Sequence, residues 1–162
     1  MRRSLARCLG LVVALMLTLS ACDPARVYED NHDFPEGAWL AADKPVFAFA
    51  ITDTAARYTV RLNVRNSVNY QFYNLFAALA LRDPAGRVLS RRLHEMVLLD
   101  KATGEPLGDG LGDLFDHQFV ALRHVRFAQP GTYRAEVSQY MRLPVLPELL
   151  SVGVRVEREE RK

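Results

Sequence analysis

From Tyr58 to Arg65 the chain alternates without a break: Tyr58, Val60, Leu62 and Val64 are apolar, and Thr59, Arg61, Asn63 and Arg65 are polar. Successive side chains point to opposite faces in an extended strand, so this stretch gives one face to a core and one to water. A helix, with its period of 3.6, cannot present that pattern. Leu150, Val152, Val154 and Val156 repeat it against Ser151, Gly153, Arg155 and Glu157. Val46 to Ile51 also reads as a strand, apolar on both faces.

Turn chemistry places further strands between these. Asp83-Pro84-Ala85-Gly86 sets proline where a type I turn wants φ near −65° and glycine at its close, which joins Phe72 to Arg82 with Arg87 to Leu99 as a hairpin. Gln129-Pro130-Gly131-Thr132 does the same ahead of Tyr133, Ala135, Val137, Gln139 and Met141. Leu143 to Pro147 reads as a proline-broken crossover. Asp23 to Lys44 is polar, with Pro24, Pro35 and Gly37 breaking any period, and reads as a tether that docks through Phe34 and Trp39. No amphipathic helix of ten residues emerges. The fold class expected is all-β, an antiparallel β-sandwich of jelly-roll or immunoglobulin-like type over residues 45–162. A chain of 162 residues, 49% hydrophobic and 25% charged, suits one such domain and excludes a disordered tail.

The N-terminal segment has a separate logic. Arg2, Arg3 and Arg7 precede an almost continuously apolar run from Leu9 to Leu19, which closes on Leu19-Ser20-Ala21-Cys22. That run has about half of the roughly 20 apolar residues that cross a bilayer, so it reads as a secretory signal over residues 1–21. Leu-Ser-Ala-Cys is similar to the lipobox of bacterial lipoproteins. The similarity implies diacylglycerol in thioether linkage on Cys22, cleavage before it, and acylation of the new amine, with palmitate as the acyl group. Several acyl chains hold a protein on a membrane far longer than one. Residues 22–44 then form a lipidated tether and docking arm. Removal of residues 1–21 takes three positive charges and no negative one, so the formal charge falls from +2 to −1. No basic surplus remains for nucleic acid. Cys8 leaves with the signal and Cys22 carries lipid, so neither a disulfide nor a free thiol is expected in the mature domain.

A search for chemistry returns no catalytic residue, no cofactor and no metal site. His94-Glu95 opens like His-Glu-x-x-His, but Leu98 stands where the second imidazole belongs, and the segment reads as strand. His32, His117 and His124 read as surface groups. The glycine-rich stretch from Gly104 to Asp116 has no lysine for a phosphate, and Asp109, Asp113 and Asp116 lack the spacing of an EF-hand loop. It reads first as a structural turn whose glycines adopt positive φ, next as a partner-binding loop, and last as a calcium site. From Tyr70 to Phe76 both strand faces carry apolar groups, with Tyr73 and Leu75 on one and Tyr70, Phe72 and Phe76 on the other. The second face is expected to lie under the arm through Phe34 and Trp39; the alternative is an aromatic platform for sugar or protein. Arg57, Arg61 and Arg65 read as an ion-paired, solvated stripe.

Taken in order, Cys22, Val27-Tyr28-Glu29-Asp30, Trp39 with Asp43, Val46-Phe47-Ala48-Phe49, the Tyr58 strand ending in Arg65-Asn66, Tyr70 with Asn74-Leu75, Gly108-Asp109-Gly110-Leu111-Gly112-Asp113, Gly131-Thr132-Tyr133, and Gln139-Tyr140-Met141-Arg142 with Val152-Gly153 resemble the gliding-motility lipoprotein GldH family. The resemblance covers nearly the whole mature chain. It implies a non-enzymatic accessory of cell-surface gliding or of the apparatus that exports surface proteins, acting through contacts with other envelope proteins. It places the protein in the cell envelope, at the periplasmic face of the outer membrane in preference to the inner membrane or the cell surface. Gly110, Gly112, Asp113 and Arg142 match family positions and, with Asp109, Tyr70, Phe72 and Phe76, form the expected partner-binding set. The alternatives are a lipoprotein that captures glycan on the Tyr70 to Phe76 aromatics, and a periplasmic hydrolase.

Overall fold

The computed structural model describes residues 23–160; the expected signal segment and the expected lipidation site Cys22 lie outside them. Eleven strands are present: β1 (Arg26–Asp33), β2 (Ala38–Leu40), β3 (Val46–Ile51), β4 (Tyr58–Ser67), β5 (Asn74–Arg82), β6 (Val88–Val97), β7 (Asp109–Leu111), β8 (Leu114–Val125), β9 (Gly131–Gln139), β10 (Val145–Pro147) and β11 (Leu149–Arg158). The only helical element among the described residues is a 3-10 turn at Pro35–Gly37. A five-stranded sheet in the order β1-β11-β4-β8-β7 packs on a four-stranded sheet in the order β3-β9-β5-β6, and β10 with β2 makes a small ribbon. All pairings are antiparallel. The fold is an all-β sandwich, as the alternation requires.

The core lies between the sheets. Tyr58, Val60, Leu62 and Val64 of β4 and Val152, Val154 and Val156 of β11 meet Phe47, Phe49, Leu75, Ala77, Leu79, Ala135 and Val137 from the other sheet. Tyr58, Phe127 and Tyr133 form an aromatic cluster, with ring centroids 5.2 Å and 4.4 Å apart on either side of Phe127. Both tyrosines keep a partner for their hydroxyls, which donate to the carbonyls of Asp53 and Gln129. A buried hydroxyl without an acceptor would cost about 1–3 kcal/mol.

Two local readings change, and one strand goes unread in the sequence. The stretch from Asp23 to Lys44 is not irregular: β1 pairs with β11 from Arg26↔Glu157 to Asp33↔Ser151. Its sequence hides this because β1 is an edge strand with mostly polar side chains and no buried stripe. Pro147 closes β10 rather than breaking a crossover, since β10 and β2 are a two-strand ribbon in which an unpaired proline nitrogen is tolerated. The twelve residues of β8 escape the period-two reading. A bulge opposite Val60 flips the phase, so the core-facing set runs His117 and Phe119, then Leu122.

Candidate functional site

The residues singled out in the sequence separate onto two surfaces. At the end of the four-stranded sheet where β5 begins, Phe72, Asn74, Phe76, Leu93, Tyr140, Met141 and Arg142 line a groove of about 480 Å³. Phe72 and Phe76 are half-buried, while Leu93 and Tyr140 expose 57% and 47% of their surface. Met141 is held in the wall by its sulfur, which accepts the Phe76 backbone N–H at 3.2 Å. Arg142, three residues past the end of β9, sits in a left-handed conformation with φ 61°. Tyr140 is steadied by Arg91, whose guanidinium donates to the phenol oxygen at 2.7 Å.

Tyr70 does not reach this groove. It is buried, its ring edge lies against Phe72 at 5.7 Å, and its hydroxyl donates to the Asn74 carbonyl at 3.1 Å. Burial pushes its phenol well above the usual range. The cover expected from the N-terminal arm is also different: Trp39 and Phe34 stack on each other at 4.9 Å, with the indole N–H donated to the Asp43 carbonyl. Neither lines the groove, whose walls come from β5, β6 and residues 140–142.

Asp109, Gly110, Gly112 and Asp113 belong to the other sheet, on the β7–β8 hairpin. The backbone carbonyl of Asp113 accepts the Val68 N–H at 2.8 Å and so fixes the hairpin tip. Asp109 borders a polar groove of about 540 Å³ across the outer face, with Glu29, Asn31, Asp33, Asn63, Arg65, Asp116 and Gln118 among its walls. Much of that lining is satisfied internally. Arg65 clasps Asp116 with two hydrogen bonds of 2.7 and 2.9 Å, Gln118 donates to Asn63, and Asn63 donates to Glu29. Arg155 ties Glu29, Glu157 and Asp23 together and so staples β1 to β11. Arg61 pairs with Glu157 at 2.7 Å, so two of the three arginines of the expected stripe, Arg61 and Arg65, are ion-paired, whereas Arg57 makes no salt bridge among the described residues.

The glycines of the hairpin do not share one role. Gly112 takes φ 63° with open space around it, whereas Gly110 is not left-handed and is glycine for a different reason: a Cβ there would lie 2.8 Å from the Phe115 ring. Gly108 is pressed in the same way against His117, whose Cε1 would be 2.7 Å from an added Cβ.

His117 is the residue that sequence reasoning misplaced. It is 7% exposed, stacks on Phe119 at 5.9 Å, and its Nε2 has no hydrogen-bond partner among the described residues. Burial lowers its pKa below the ordinary 6.5, against the pull of Asp116 and Asp109, and favours the neutral ring. The available signal was its phase, since His117 alternates with Phe115 and Phe119 on one strand face. His94, on β6, is likewise held neutral by burial and by Arg92. His32 and His124 face carboxylates, Asp43 at 3.0 Å and Glu159 at 2.8 Å. Among the described residues no group of three or more His, Cys, Asp or Glu could hold a metal ion, and no helix is long and apolar enough to cross a membrane.

The GldH lipoprotein family profile matches residues 26–156, from the first residue of β1 almost to the end of β11. The chain belongs to the GldH lipoprotein family. It is 28% identical over 158 residues to a gliding motility lipoprotein GldH homolog of Christiangramia forsetii, covering 93% of this chain and 94% of the relative. To the gliding motility lipoprotein GldH of Flavobacterium johnsoniae it is 26% identical over 159 residues, covering 93% and 96%. Among solved structures, a family GH115 4-O-methyl-α-glucuronidase is similar with a TM-score of 0.49 and 12% identity, over 86% of this chain and 18% of that one.

Proposed function

We propose that this GldH-family protein is a lipid-anchored, non-catalytic accessory of the cell envelope, which supports gliding or the export of surface proteins through contacts with other envelope proteins. The observation that carries the reading is the position of the apolar groove relative to the residues that follow Cys22. Pro24 and Ala25 sit with Asp53, Ala56, Arg158 and Glu160 at one end of the sandwich. The groove lies at the other end, and the nine residues of β5 between them span about 30 Å. Lipid on Cys22 therefore leaves the groove turned away from the bilayer, toward whatever else occupies the envelope. Phe72, Phe76 and Arg142 are its contact residues, and Tyr70 backs Phe72. The hairpin of Asp109, Gly110, Gly112 and Asp113 is a second contact surface. The names of the relatives from Christiangramia forsetii and Flavobacterium johnsoniae support gliding as the process served.

Glycan capture is the second reading, favoured by the partial exposure of Phe72 and Phe76 and opposed by the burial of Tyr70, which leaves no flat three-ring platform. Complementation of a deletion strain separates these ideas, with colony spreading scored where the host glides and surface-protein export where it does not. The full chain and His32→Ala or His124→Ala variants are expected to rescue, and Cys22→Ala is not. Rescue by a soluble, unlipidated domain would refute the tether; loss from one exposed histidine, with folding intact, would revive an enzyme.

A further inference from the structure

The Ala25 carbonyl accepts the Arg158 N–H at 2.7 Å, and Arg26 opens β1, so the sandwich takes hold of the chain at Ala25. From Cys22 to Ala25 the chain can reach at most about 11 Å. Acyl chains on Cys22 would therefore keep this end of the sandwich close to the bilayer surface. The gap is comparable with the roughly 8–10 Å over which exposed charges act at physiological salt. What this end exposes then decides how the domain stands.

Arginine dominates there. Arg26 and Arg158 lie beside Ala25, and Arg57 is next to them, its carbonyl accepting the Glu159 N–H at 2.8 Å. Arg123 and Arg126 bracket the end of β8, where the His124 N–H reaches Glu159 at 2.9 Å. All five arginines are exposed. Arg57, Arg123 and Arg126 make no side-chain hydrogen bond or salt bridge among the described residues. The acids around them are mostly committed inside the fold: Asp23 to Arg155, Asp53 to the Ala55 and Ala56 N–H groups, and Glu159 to Thr59 and His124. Glu160 is the exposed exception. Guanidinium groups with no internal partner, held within reach of a headgroup layer, match phosphate in charge and in the geometry of their donors. Resting on the reading of Cys22 as lipid-bearing, we infer that this arginine collar binds anionic phospholipid headgroups of the bilayer that holds the acyl chains. A three-residue link alone lets the domain lie on either sheet. Contacts from Arg57, Arg123 and Arg126 stand it on this end, with the apolar groove held outward.

The test uses the purified lipoprotein in vesicles of phosphatidylcholine, alone or mixed with phosphatidylglycerol. A fluorophore on Ala55→Cys, in the loop between β3 and β4 beside Arg57, is read by acrylamide quenching. The label is expected to be shielded on the phosphatidylglycerol vesicles and open on phosphatidylcholine. Shielding should vanish in about 1 M salt, where the screening length shrinks to about 3 Å. A label on Ala102→Cys, in the loop that follows β6 at the groove end, stays open on both. Arg57→Gln/Arg123→Gln/Arg126→Gln lowers the docked-to-free ratio by about a hundredfold, about fivefold for each arginine. Because these side chains hold nothing in the fold, the thermal midpoint of the triple variant stays where it was. Equal quenching on the two kinds of vesicle, shielding that survives high salt, or shielding kept by the triple variant overturns the inference. Equal shielding of both labels does so too, since the sandwich would then lie flat. Flotation with the vesicles at high salt reads the anchor separately. A chain that floats while the Ala55 label stays open sinks the collar alone; a chain that does not float sinks the lipid reading and the collar with it.

Discussion

A Cβ built on Gly153 falls on the side-chain amide oxygen of Asn31, and the Asp30 carbonyl lies 2.6 Å from it on the neighbouring strand. Gly153 and Asn31 are directly paired across β11 and β1, so the glycine makes the room in which the Asn31 side chain lies. The absence of a side chain at Gly153 lets β1 lie close against β11 at this point.

Gly153→Ala is therefore expected to push Asn31 out and loosen β1, costing about 1–3 kcal/mol as overpacking at a tight contact does. Thermal unfolding should show a lower midpoint, and hydrogen exchange should rise first at Glu29 to Asp33. An unchanged midpoint would show that β1 yields without loss.

The glycines of the β7–β8 hairpin should respond differently from one another. Gly112→Asn is expected to be nearly neutral, since asparagine accepts left-handed backbone, while Gly112→Val costs about 1–2 kcal/mol. Gly110→Val should cost a similar amount for a steric reason, and Phe115→Ala should relieve part of it because the ring is what the new Cβ meets. A double-mutant cycle measures that relief. The hairpin is also expected to take up no calcium, so micromolar binding that is lost in Asp113→Ala would contradict its reading as a structural turn.

What the sequence reveals follows what the physics writes into side-chain order. β4 and β11 are central strands with one core face, and their alternation reads directly off Tyr58 to Arg65 and Leu150 to Glu157. β1 lies at an edge, where pairing is made by backbone and by the Arg155 ion pairs, and neither leaves an apolar period. Of the expected partner-binding set, Phe72, Phe76 and Arg142 meet at one groove because the end of β9 returns beside the start of β5, a tertiary adjacency that no local pattern encodes. Tyr70 has the same residue type as an exposed platform ring, and only its packing beneath Phe72 shows that it is core.

Stability should fall on the acid side in two stages. His117 and His94 are depressed below the ordinary 6.5 by burial, so the unfolded chain binds protons that the folded one refuses. Their contribution is complete above about pH 6.5 and is lost as pH drops through the lowered folded values. Glu159 is raised by burial, but hydrogen bonds from the His124 N–H and ring and from the Thr59 hydroxyl outweigh this and hold it at about 2, well below its ordinary 4.5. Its share is complete above about pH 4.5 and disappears toward pH 2. Urea midpoints should thus decline from about pH 7.5 to about 5.5, and more steeply below about 4.5. His117→Leu, if it folds, should flatten the first stage; a midpoint that rises on acidification to about pH 5.5 would show the histidines to be stabilised by protonation instead.

Cys22→Ala is expected to abolish lipid attachment and to leave the longer precursor. On the proposed reading, the apolar run from Leu9 to Leu19, about half the length that crosses a bilayer, serves export and is then removed, and stable residence on the membrane rests on acyl chains. The lipobox resemblance implies that thioether formation at Cys22 precedes the cut, so without the thiol neither lipid nor the normal new N terminus is expected to arise. Mass spectrometry of the N-terminal peptide reads both: acylated cysteine at position 22 in the wild type, an intact signal in the variant. The functional loss should exceed that of any single surface substitution, because confinement to the membrane raises the concentration of the groove near its partners by orders of magnitude. An unmodified Cys22, or cleavage elsewhere, would remove the anchor and with it the reason for the groove to face away from the bilayer.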